Sequence, residues 1–113
     1  MQELNRELTS QERALLLWAL DAKGGQERYL EQVESLRVIG GCDCGCPSID
    51  FSSDDDLNIS SRIIVDFYGE SPEGIPVGGI LWAAGESLSS LEIYSLPDAE
   101  HYSLPSLDSL HLG

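Results

Sequence analysis

The residues of this chain best suited to chemistry are three cysteines at alternate positions, Cys42, Cys44 and Cys46. They lie in the segment Gly40-Gly41-Cys42-Asp43-Cys44-Gly45-Cys46-Pro47-Ser48-Ile49-Asp50-Phe51 and are the chain's only cysteines. Zinc is the first chemistry they suggest, since thiolates hold it tetrahedrally at about 2.3 Å. Alternate side chains of an extended strand share a face but stand about 6.6 Å apart. Thiolates around one ion come closer, so the chain would have to curl, which Gly41, Gly45 and Pro47 permit. His101, His111, Asp43 or Asp50 would then supply the fourth ligand. Redox chemistry is the second reading. Cys-x-Cys can close into a strained disulfide, whereas a thioredoxin-like centre wants Cys-x-x-Cys at a helix start. Asp43 and Asp50 raise a nearby thiol's pKa, which opposes an activated thiolate. Packing is the third. If the strand opening at Val38 runs on, positions 38, 40, 42, 44 and 46 share one face, and small apolar thiols beside glycine let a bulky helix lie close. This reading explains the glycines together with the cysteines and needs no cofactor; zinc at Cys42, Cys44 and Cys46 is the alternative.

Other constellations are weaker. Asp54, Asp56 and Asn58 match the first ligand positions of an EF-hand calcium loop, but Ile59 stands where glycine is needed and Val65 where the bidentate glutamate belongs. The segment reads as a solvated loop. No Gly-x-Ser-x-Gly elbow and no phosphate loop is present. No carboxylate pair stands out for acid–base work, so no catalytic residue is assigned and the chain reads as a non-enzyme.

Charge is the second strong feature. Twenty acids against six bases give a net charge of −14 over 113 residues. From Asp43 onward there are thirteen acids and one base, Arg62, or −12; the part before it carries −2. Like charge disfavours nucleic acid and anionic membrane as partners. A basic protein is the complement, because opposed potentials speed encounter and reject wrong pairings. Asp54, Asp55, Asp56, Asp66 and Glu92 are the candidate contacts, Asp66 and Glu92 because they occupy the polar faces of their strands. The odd cysteine count and the absence of a basic-then-apolar leader point to a cytoplasmic protein.

The elements that must position these residues form an α+β domain over 1–113, with a helical hairpin at 9–36, a sheet at 37–95 and a tail at 96–113. Thr9 with Glu12 is a capping box at a helix start. Ala14-Leu15-Leu16-Leu17-Trp18-Ala19-Leu20 continues this helix to Gly24-Gly25, and its apolar circumference predicts burial. A second helix, about Gln26 to Leu36, places Tyr29, Leu30, Val33 and Leu36 at helical spacing. Arg62 to Tyr68 is the clearest strand, with Ile63, Val65 and Phe67 on one face. Val77 to Ala84 follows, interrupted at Gly78-Gly79 by a bulge or a close approach. Leu91 and Ile93 alternate with Ser90 and Glu92 in the next strand. The expectation is a three- to five-stranded antiparallel meander behind two N-terminal helices, Trp18 and Trp82 anchoring the core, and an irregular C-terminal tail.

The segment Cys42-Asp43-Cys44-Gly45-Cys46-Pro47-Ser48-Ile49-Asp50, with Leu88-Ser89-Ser90-Leu91-Glu92-Ile93-Tyr94 and Leu104-Pro105-Ser106-Leu107, resembles a group of small uncharacterised bacterial proteins. The likeness covers about residues 36–107 and implies the hairpin and its closing tail; that group has no assigned activity, so no site residue is carried over. By size, acidity and hairpin architecture the chain also resembles, more loosely, small immunity proteins that neutralise co-encoded bacterial toxins. That likeness implies a basic toxin as partner.

Elemental analysis and a thiol count on protein purified without chelator separate the cysteine readings. Packing predicts no bound metal and three thiols that react only on unfolding. About one zinc per chain, with thiols protected until a chelator is added, would instead establish the metal site.

Overall fold

The computed structural model describes residues 2–41, 47–51, 61–97 and 102–113. Cys42, Cys44, Cys46, Asp54, Asp55, Asp56 and His101 lie outside them. In chain order the elements are β1 (Gln2–Glu7), α1 (Ser10–Lys23), α2 (Glu27–Val33), β2 (Arg37–Gly41), β3 (Ile49–Asp50), β4 (Ser61–Glu70), β5 (Pro76–Ala84), β6 (Ser87–Ser95), a 3-10 turn (Leu107–Ser109) and β7 (His111–Leu112).

Helix α1 starts where its sequence says it should. The Thr9 hydroxyl accepts from the Glu12 amide at 3.1 Å, and the Glu12 carboxylate accepts from the Thr9 amide at 2.9 Å. Two orphan donors of the first turn are thereby satisfied. The helix ends at Gly24 and Gly25, both with positive φ (76° and 72°), a region in which a side chain would be strained. Helix α2 is fastened to the β5–β6 turn by Gln32, whose amide donates to the Glu86 carbonyl at 2.6 Å and accepts from the Leu88 amide at 2.9 Å.

All strands join one antiparallel sheet in the order β1-β2-β3-β6-β5-β4-β7. The α+β class and the β4-β5-β6 meander agree with expectation; the sheet is larger than three to five strands, and a strand precedes the helices. The reason is physical. β1 is Gln-Glu-Leu-Asn-Arg-Glu, without the β-branched and aromatic residues that mark a strand. β3 and β7 are two residues each, too short for any period to show. β1 and β7 add to the edges offered by β2 and β4, and β3 bridges β2 and β6. The tail likewise holds a 3-10 turn and β7, and it is tied down where the Ser106 amide donates to the Glu70 carbonyl at 2.9 Å.

The core lies between the helices and one face of the sheet. Leu15, Leu16, Ala19 and Leu20 of α1 and Val33 of α2 meet Val65, Phe67, Val77, Leu81, Ala83, Leu91 and Ile93, all buried. Each large aliphatic side chain so buried contributes about 1.5–3 kcal/mol relative to exposure. Trp18 sets its ring edge-on to Phe67, centroids 6.2 Å apart and planes at 74°, an arrangement that aromatic quadrupoles favour. The expected face of β4 is corrected at one position. The β4–β5 register shifts between Ile63 and Val65, which buries Ile64 and leaves Ile63 53% exposed. One extra residue in a strand reverses the alternation that precedes it. Among the described residues no helix is long and apolar enough to cross a membrane.

The N-terminal strand is locked to the helix cap by a two-pronged ion pair. Arg6 Nη1 and Nη2 donate to Glu12 Oε1 and Oε2 at 2.8 and 2.9 Å, with Glu12 buried. Burial alone would push the Glu12 carboxyl upward. The Arg6 guanidinium and the Thr9 amide outweigh it and hold the group below its ordinary value. The carboxylate form is therefore favoured by folding. Its contribution is complete above the unfolded value, about pH 4.3, and disappears as pH falls through the lower folded one.

Glu12→Gln removes the charge but keeps the shape, and is expected to destabilise the fold by about 1–3 kcal/mol at pH 7. In melting curves taken from pH 7 to pH 3, the difference between native and variant should shrink below about pH 4. A difference that stays constant over that range would contradict the coupling.

Candidate protein-docking face

The helices cover one face of β4, β5 and β6, and the pleat sends every second side chain of those strands to the other. Three cross-strand rows result. Asp66, Ile80 and Glu92 stand opposite one another in the middle row. To one side lie Tyr68, Gly78 and Tyr94, extended by His111 of β7 opposite Tyr68. To the other lie Ile63, Trp82 and Ser90, extended by Asp50 of β3. Asp66, Glu92 and His111 are exposed, and Ile80, Trp82, Tyr68 and Tyr94 are half-buried.

Adjacent glycines on the central strand shape this face. A Cβ at Gly78 would overlap the Tyr94 ring, and one at Gly79 would overlap the Phe67 ring on the helix side. Neither glycine has a positive φ; each is required for space. The interruption seen in the sequence is thus a close approach, made twice on opposite faces. It lets Tyr94 lie down on β5, the glycine–aromatic pairing that fills the gap left by a missing side chain.

The polar groups are ordered by the same packing. Trp82 Nε1 donates to Glu92 Oε1 at 3.2 Å, so the indole edge orients the carboxylate. The Tyr68 ring tilts against the His111 ring, centroids 5.9 Å apart. The Tyr94 phenol is pushed above its ordinary pKa, first by partial burial, then by its hydrogen bond with Tyr68 and by the negative charges of Asp66 and Glu92. At neutral pH it is a protonated phenol beside two carboxylates.

Of the residues expected to contact a partner, Asp66 and Glu92 come together here, two strand spacings apart, about 9.6 Å between backbones. Asp54, Asp55 and Asp56 lie outside the described residues, as do the three cysteines. Among the described residues no group of three or more His, Cys, Asp or Glu side chains is placed to hold a metal ion. Trp82 corrects an expectation. It belongs to this face, because its register partner Ser90 points away from the helices, whereas Trp18 packs against the core as anticipated. Tyr68, Ile80 and Tyr94 carry no site expectation from the sequence and Trp82 only a core one, although they alternate with Phe67, Leu81 and Ile93, and that period-two pattern is the signal that reveals them. Comparison with protein-family models, with curated proteins and with solved structures gives no match.

Proposed function

We propose that this chain is a non-enzymatic, acidic α+β domain that binds a basic protein through the outer face of β4, β5 and β6, as an immunity-type inhibitor binds a basic toxin. The observation that carries the reading is the composition of that face: half-buried Tyr68, Tyr94 and Trp82 interleaved with Asp66 and Glu92. Tyrosine and tryptophan are enriched among the few residues that carry most of the binding energy in protein interfaces, and the acids around them select the sign of the partner. A second copy of the chain is a poor occupant, since it would set carboxylate against carboxylate at a net charge of −14 on each side. The run Asp54-Asp55-Asp56 precedes β4 in the sequence and adds to the same attraction.

The reading is tested by affinity capture from the native host, comparing the natural chain with Asp66→Lys/Glu92→Lys. A basic protein should be retained at 50 mM salt, released at about 500 mM, where the screening length shortens to a few ångströms, and lost with the double variant. Capture of nothing basic, or equal capture by the variant, would refute it.

A further inference from the structure

The centre of the face has a geometry that distinguishes between the two long basic side chains. Ile80 forms an apolar floor, with Asp66 and Glu92 beside it on the flanking strands and Trp82 and Tyr94 before and behind it along the strand direction. Among the described residues only the Trp82 indole bonds to Glu92, and it holds one oxygen. The other oxygen is left to accept from a ligand. We propose that this subsite takes an arginine side chain of the partner in preference to a lysine; the inference rests on the docking reading above.

Two physical arguments favour arginine. The first is reach. One ammonium nitrogen bonding on both sides spans at most about 5.8 Å between acceptors, twice an ordinary hydrogen-bond length. The carboxylates rise from backbones about 9.6 Å apart, and a guanidinium, with donors on opposite edges, reaches farther between them than a single ammonium nitrogen. The second is hydration. A guanidinium is planar and weakly hydrated, so it can lie against Ile80 and stack on Trp82 or Tyr94 while its edges reach carboxylates. An ammonium is a compact, strongly hydrated charge and would have to shed water over an isoleucine. The indole bond adds preorganisation, since the Glu92 carboxylate is oriented before the ligand arrives.

The experiment is an NMR titration of the full chain with blocked triarginine and blocked trilysine at equal ionic strength, followed at the Trp82 indole N–H. Triarginine should shift that signal and bind at least about fivefold more tightly than trilysine. Glu92→Gln, at an exposed position that leaves the core intact, should abolish the preference. Equal affinities for the two peptides, or a preference that survives in Glu92→Gln, would overturn the arginine subsite and leave the basic-partner reading standing. If neither peptide perturbs the face, both fall.

Discussion

The back-to-back glycines of β5 are the constraint on which the arrangement depends. Gly79 gives up its side chain so that Phe67 can lie across the central strand on the helix side, and the Trp18 ring of α1 stands on Phe67 in turn. Gly78 gives up its side chain on the other face, where Tyr94 settles beside Tyr68. One dipeptide therefore fixes how close the helical layer sits and how the outer aromatic surface is formed. A glycine pair in a strand interior costs backbone entropy, and here the cost is offset by two aromatic rings packed against backbone.

The same pleat sorts charge. Val65, Phe67, Leu91 and Ile93 take the helix side of β4 and β6, so Asp66 and Glu92, one position along, stand on the outer face and flank Ile80. Concentrated like charge opposes folding. The chain tolerates it because the carboxylates are solvated or, in the case of Glu92, bonded to an indole. Among the described residues the one acid that is buried, Glu12, is treated differently: it is paired with Arg6 and committed to holding β1 against the start of α1. Structural and outward-facing carboxylates are thus separated by layer. On the proposed reading, aromatic rings set among acids that face solvent are what a basic protein would meet.

Much of the fold was legible in residue order. The Thr9–Glu12 capping box, the Gly24-Gly25 stop, and strands β4 to β6 follow from local chemistry and period. What could not be read was decided by pairing partners. β1 has no strand composition and exists because β2 offers an edge; β3 and β7 are too short to carry a pattern. Simple alternation puts Ile63 on the same face as Val65 and Phe67, because the bulge before Val65 leaves no mark in the sequence. At the site, Asp66 and Glu92 were found from their charge and alternation. Their aromatic neighbours were missed because tryptophan and tyrosine are as common in cores as in interfaces, and only the register shows which side of the sheet they occupy.

The claim that each face is organised by a ring lying on a glycine can be read directly from proton chemical shifts. In assigned NMR spectra, one Hα of Gly78 and one of Gly79 should be displaced far upfield by ring currents, with nuclear Overhauser contacts to the Tyr94 ring from Gly78 and to the Phe67 ring from Gly79. Ordinary strand shifts for both glycines, without those contacts, would contradict the account.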